Sequence, residues 1–152
     1  MDLRTFILRH RRENLKKCSL RGLEKRSDLC FFSYPQDPLP DISQHLLLQV
    51  GAPVLTLADA NRPLLLIDGT WRLTKIMTQQ LRPQPEVRSL PSHYRTAYPR
   101  RQSDCADPDT GLASIEALYI AYLLLGRNTE GLLDLYHWKS EFLQLNKLSE
   151  NF

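Results

Sequence analysis

The chain has 152 residues, 42% of them hydrophobic and 24% charged, and a formal net charge of +3. That is the size of one ordinary domain with room for a core, in the composition range of soluble globular proteins rather than disordered or fibrous ones. No run approaches the roughly 18 apolar residues needed to cross a bilayer, so no membrane partner is expected.

The amino end, MDLRTFILRHRR, carries its charges on the wrong side of too short an apolar stretch for a signal peptide. Cys18, Cys30 and Cys105 are odd in number and form no CxxC pair, which argues against a disulfide framework or a zinc site. The four histidines are scattered. A metal-free protein of a reducing compartment, the cytoplasm, is expected.

The net charge hides an asymmetry. Met1 to Arg26 holds nine Lys/Arg against three Asp/Glu, and Arg82 to Arg101 holds five arginines opposed only by Glu86. Clustered cations of this kind are the footprint of a phosphate-backbone partner. A solvated basic face with no partner is the plain alternative.

In chain order, Thr5–Leu8 reads as a first short strand. Glu13 to Arg26 has Leu15, Leu20 and Leu23 spaced for one helical face. Leu29–Phe32 is a second strand, and Pro35 to Pro40 a loop leading into a short helix. Leu46–Val50 fits a third strand or the close of a helix, and Leu55–Asp59 a strand end or a turn into a brief helix. Pro63–Ile67 is a further strand, Arg72–Leu81 a helix and Glu86–Leu90 a brief strand. Ser92 to Thr110 is irregular, and connections of that length in compact domains tend to be functional. Two helices close the chain, Leu112–Leu125 and Thr129 to about Lys147, with Gly126 as a C-cap between them.

Short apolar strands alternating with helices predict a single α/β domain over 1–152, its parallel sheet covered on both faces. In such sheets ligands bind beyond the carboxyl ends of the strands. Ser33, Thr56, Asp68 and Leu90 all stand at predicted strand ends. Asp68 stands where a helix N-cap would stand, and Asp is a favoured cap; a ligand site is the competing reading. Gly69 allows close approach of a ligand or a tight turn. Trp71 fits a core position, a base-stacking position or a wall facing a cation. Glu116, in the apolar LASIEALYIAYLLLG, either complements the helix dipole or marks an amino end that faces something specific. No GxGxxG, P-loop, GxSxG or HExxH occurs. Cys18 has no visible base partner and reads as a structural thiol.

Six segments together resemble a known family. Asp68-Gly69-Thr70-Trp71 at a strand end, Leu90-Pro91 about 20 residues on, and LASIEA from Leu112 resemble the DTW-domain proteins. They resemble still more the ribosome-biogenesis aminocarboxypropyltransferases. NLKKCSL, from Asn14, is similar to that family's basic K-x-C-[ST] segment, and YHWKSEFLQLNKLSE, from Tyr136, to its closing helix. Leu55–Asp59 is similar to its L-S-P-A-D turn. Ala113 departs from the serine or threonine usual there, and Tyr94 to Asp109 matches neither group.

The resemblance implies a SPOUT-like parallel sheet flanked by helices, with a C-terminal trefoil knot. It implies transfer of the 3-amino-3-carboxypropyl group from S-adenosylmethionine to a uridine-type base in rRNA or tRNA, by a monomer without metal. A SPOUT methyltransferase and a non-catalytic RNA-binding assembly factor are the alternatives. Asp68 and Trp71 would be catalytic. Ser19, Ser33, Leu90, Leu112, Ala113 and Ser114 would join them around S-adenosylmethionine. Arg9, Arg11, Arg12, Lys16 and Lys17 of the basic amino segment, with Arg72, Lys75, Arg95, Arg100 and Arg101, would hold RNA phosphates.

Overall fold

The computed structural model describes residues 3–10, 19–99 and 111–148, and the helical residue Trp71 by its backbone alone. Five strands form one all-parallel sheet: β1 (Thr5–His10), β2 (Leu29–Tyr34), β3 (Leu46–Leu48), β4 (Leu64–Asp68) and β5 (Glu86–Arg88). Their order in the sheet is β2-β1-β4-β3-β5. Three helices accompany them: α1 (Trp71–Gln79), α2 (Ser114–Leu125) and α3 (Lys139–Leu145).

The uninterrupted apolar strands follow from burial on both faces, because strand side chains alternate between them. Ile7, Leu46, Leu64 and Leu66 share one core with Leu118, Tyr119 and Phe142 of α2 and α3. Their neighbours Phe6, Leu8, Leu47 and Leu65 share the other with Met77 of α1. On this count Asp68 falls on the α2 face with Leu64 and Leu66, and Arg9 falls there with Ile7.

Several sequence expectations change. Of the helix expected over Glu13 to Arg26, residues 13–18 lie outside the described residues, and 19–26 form successive turns. Gly22, at φ +91°, interrupts any helix there. The last expected helix shortens to Lys139–Leu145, since Gly131 at φ +79° breaks 129–135 into turns. Pro35, Pro38 and Pro40 remove backbone donors from their segment, which makes turns and no helix. Leu55–Asp59 turns into a 3-10 helix over Leu57–Asp59, whose Asp59 carboxylate accepts from the Thr56 amide at 3.2 Å. Asp68 is not the cap of α1: the chain needs Gly69 and Thr70 to leave the sheet, and Thr70 is the N-cap. Gly126 does close α2 in a left-handed conformation.

At the far, amino-terminal end of the sheet, Thr5 Oγ1 and the Tyr122 hydroxyl share a 2.8 Å hydrogen bond. Burial pushes the Tyr122 phenol up, and the bond from Thr5 partly opposes it. Arg26 donates to both Asp28 oxygens, at 2.9 and 2.8 Å, and to the Glu130 carbonyl at 2.7 Å. This clasp fixes the entry of β2 against the turn that follows α2.

Candidate functional site

The sheet order creates one switch point. From β1 the chain leaves toward β2, and from the adjacent β4 it leaves toward β5 on the opposite side. The crevice beyond the carboxyl ends of two such strands is where open α/β sheets bind ligands. Ser33 and Arg9, one residue before the ends of β2 and β1, and Asp68, the last of β4, stand in direct register, Ser33 opposite Arg9 and Arg9 opposite Asp68. All three share the α2 face, so they form one polar row at that crevice.

The amino end of α2 closes over this row. Ser114, its first residue, donates from Oγ to Asp68 Oδ1 at 2.6 Å. Arg9 Nε stands 3.5 Å from Asp68 Oδ2. Asp68 is 5% exposed and Arg9 9%, and a charge so far from water needs a partner close by. The Arg9 guanidinium also lies 4.7 Å from the centre of the Phe31 ring, and its Nη2 is 3.5 Å from Glu24 Oε2. Ser19, entering from the turn after the basic segment, accepts at Oγ from the Ile115 amide at 3.2 Å.

Behind the row, Glu116 is fully buried and accepts four hydrogen bonds. Oε1 takes Thr96 Oγ1 at 2.6 Å and the Ala113 amide at 2.8 Å. Oε2 takes the Ala97 amide at 2.8 Å and the Tyr136 hydroxyl at 2.9 Å. Ala113 has no side-chain acceptor, so only the glutamate half of a capping box exists. The same carboxylate thereby anchors the segment 94–98, which Asn146 grips from α3 through the Arg95 amide at 2.7 Å and the Arg95 carbonyl at 2.8 Å. Glu116 therefore has a structural task, fastening a long irregular connection to the helix that covers the crevice.

Among the expected site residues, Ser33 and Asp68 flank Arg9 in the sheet, Ser114 meets Asp68, and Ser19 meets the amino end of α2 beside Ser114. Leu112 and Ala113 precede α2 beside them, and Leu90 packs with Leu112 against the α2-side core. The backbone of Trp71 begins α1 three residues after Asp68, while its side chain lies outside the described residues. Arg72, Lys75 and Arg95 are exposed. Arg11, Arg12, Lys16, Lys17, Arg100 and Arg101 lie outside the described residues.

Arg9 departs from the surface place expected of it. The strand alternation turns it inward to Asp68, where it offers no open face to a phosphate. Counting in twos from Ile7 would have shown this in the sequence. Gly69 is also less constrained than expected: its φ is not positive, and an added Cβ would meet Leu73, His10 and Thr74 at ordinary distances of 3.7–3.8 Å.

A concavity of about 270 Å³ lies on the other face, between Leu8, Tyr34 and Ile42 on one side and Met77, Leu81 and Arg82 on the other. None of the expected site residues lines it. Among the described residues no three metal-ligating side chains cluster, and no helix is long and apolar enough to cross a membrane.

No protein-family profile matches the chain, and no curated protein matches it. Among solved structures it is similar to the SAM-dependent rRNA:acp-transferase Tsr3 from Vulcanisaeta distributa. The TM-score is 0.72 and the identity 26%, over 97% of this chain and 80% of that one. The resemblance to aminocarboxypropyltransferases carried by the six motifs thus has a counterpart in three dimensions.

Proposed function

We propose that the protein transfers the 3-amino-3-carboxypropyl group of S-adenosylmethionine to a uridine or pseudouridine base of rRNA, releasing methylthioadenosine. The observation that carries this is the meeting of Asp68 and Ser114, from the two most diagnostic motifs, at the switch point of the sheet. The likeness to an rRNA:acp-transferase supports it. The described charged groups at the crevice, Arg9 against Asp68 and Glu24, leave a negative excess. S-adenosylmethionine, with a sulfonium and an ammonium against one carboxylate, is net cationic and complements it.

In the reaction a ring nitrogen of the base attacks the arm carbon bonded to sulfur. The carbon–sulfur bond breaks, its electrons neutralise the sulfonium, and the ring nitrogen loses its proton. That N–H is weakly acidic, so a nearby carboxylate assists its loss. Asp68 is assigned this role, as acceptor of the proton or as the group that aims the base. The Trp71 ring is assigned to the wall of the arm's pocket, where cation–π attraction would favour the sulfonium. Ser19, Ser33, Leu90, Leu112, Ala113 and Ser114 are assigned to the surroundings of the nucleoside. Transfer of the arm rather than of methyl is then a matter of which carbon faces the nucleophile in line.

The finer fold assignment, a SPOUT-type sheet with a C-terminal trefoil knot, belongs to the same reading. Its support is the all-parallel sheet and the return of the chain from edge strand β5 to α2 over the end of β4. A cytoplasmic monomer is proposed, with Arg72, Lys75, Arg95 and the remaining cations of the two basic segments on RNA phosphates.

S-adenosylmethionine labelled separately in methyl and in arm, incubated with rRNA and with tRNA, tests the reading. Arm label in rRNA is the expected result, and arm label in tRNA alone would move the substrate. Methyl label alone would make the protein a methyltransferase, and RNA binding without either label a non-catalytic assembly factor.

A further inference from the structure

We infer that Arg9 is a positioning residue for Asp68, holding and aiming the carboxylate that the reaction uses; this rests on the function proposed above. Three observations carry it. The pairing is built into the sheet, since Arg9 and Asp68 are register partners on adjacent strands and on one face. Arg9 is held there by more than Asp68: its guanidinium lies over Phe31, and Glu24 flanks it from the turn after the basic segment. Its pairing with Asp68 is electrostatic rather than a closed fork. Nε stands 3.5 Å from Oδ2, is buried, and makes no hydrogen bond with any described residue.

The third observation concerns the kind of pairing. Guanidinium–carboxylate pairs frequently close in two short parallel bonds of about 2.7–2.9 Å. Taking two charges out of water without such bonds is expensive, and an apolar pair of similar volume would often be as stable. Here Ser114 fixes Oδ1 with a short hydrogen bond, while Arg9 balances the charge without taking Oδ2 into a hydrogen bond of its own. The carboxylate is thus held from one side by a hydroxyl of α2 and from another by a charge on β1.

The consequence has opposite signs for binding and for chemistry. Removing the Arg9 charge makes the crevice more negative, so the cationic co-substrate should bind as well or better. The aim of Asp68 is lost, so transfer should slow.

The test measures turnover with arm-labelled S-adenosylmethionine and rRNA, and co-substrate affinity by calorimetry, for wild type, Arg9→Gln, Arg9→Lys, Ser114→Ala and the double variant Arg9→Gln/Ser114→Ala. Arg9→Gln should lower kcat at least about tenfold while the Kd for S-adenosylmethionine is unchanged or smaller. Arg9→Lys keeps the charge but not the planar fork, and should recover most of the lost kcat. Both Arg9→Gln and Ser114→Ala act through Asp68, so the double variant should lose much less than the product of the single losses. Wild-type kcat in Arg9→Gln, parallel loss of affinity, or multiplying losses in the double variant would each overturn the inference while arm transfer by the wild type keeps the proposed function. If Arg9→Gln does not fold, Arg9→Lys alone and combined with Ser114→Ala decides: a small loss confined to kcat that does not multiply with the Ser114→Ala loss supports the inference, and wild-type kcat, a loss of co-substrate affinity or multiplying losses overturn it. A wild type that transfers no arm label removes the proposed function, and the inference with it.

Discussion

Replacing Glu116 by glutamine exchanges one carboxylate oxygen for an NH2 in a fully buried side chain, and the structure allows its cost to be worked out. Each carboxylate oxygen accepts one backbone amide and one hydroxyl: Ala113 and Thr96 on Oε1, Ala97 and Tyr136 on Oε2. The amide group of glutamine must take one of the two places. In either orientation its NH2 faces a backbone N–H that cannot turn away, Ala113 in one and Ala97 in the other, whereas the hydroxyls can rotate to accept. A hydrogen bond to a charged group contributes about 1.5–3 kcal/mol, and a buried donor left without an acceptor costs about 1–3 kcal/mol. These overlap, so the substitution should cost about 2–4 kcal/mol. For a chain of this length that is a fall in Tm of roughly 4–16 °C. Urea unfolding followed by circular dichroism gives the free energy, and hydrogen exchange at the Ala97 and Ala113 amides shows where protection drops. A variant within about 0.5 kcal/mol of wild type, with both amides still protected, would refute the assignment of Glu116 as the fastening point.

Three further outcomes follow from other parts of the structure. Gly22→Ala should destabilise by about 1 kcal/mol through its left-handed backbone, read by thermal melting. The Leu135 methyl that the new Cβ would meet belongs to a 63% exposed side chain able to swing away. Asp28 is held below the ordinary carboxylate range, chiefly by its hydrogen bond from Arg26. The stability it adds is therefore complete above about pH 4, the unfolded carboxylate value, and disappears as pH falls through the lower folded value. Asp28→Asn should accordingly be less stable at neutral pH and show a shallower acid limb in a stability–pH curve. Replacing Arg72, Lys75 and Arg95 by glutamine should weaken RNA binding across sequences. It should also reduce the slope of log K against log salt by about one for each phosphate that the protein no longer neutralises.

The apolar run Leu64-Leu65-Leu66-Ile67 showed a strand buried on both sides, and its polar end at Asp68 marked a strand terminus where ligands gather. That much depends only on local period and composition. Strand order does not, since nothing near Leu64 in the chain says that β1 will lie beside it, and so the switch point was invisible. Arg9 illustrates the cost of reading charge by neighbourhood. It stands among Arg11, Arg12, Lys16 and Lys17, yet strand alternation outweighs the company it keeps. The last helix, expected from Thr129, begins only at Lys139, because apolar spacing alone does not register a left-handed glycine such as Gly131. Glu116 stood out as a carboxylate in apolar surroundings, but its partners Thr96, Ala97 and Tyr136 are about 20 residues away on either side, beyond any local pattern.

Ser114 reaches Asp68 across 46 residues of chain, and this distance sets an order of events during synthesis. At roughly 5–20 residues per second, a nascent chain carries the β4 carboxylate for about 2 to 9 s before the residue that caps it has been made. During that interval β1 and β4 can pair and bring Arg9 to Asp68. Ile7, Leu64 and Leu66, however, still lack the helix that shares their core, and present an uncovered apolar face. The growing protein is therefore most exposed to misassociation in the window that the 69–113 connection occupies. A co-substrate that needs the finished crevice binds only after α2 has arrived, so ligand affinity can stabilise the product of folding but cannot guide its first half.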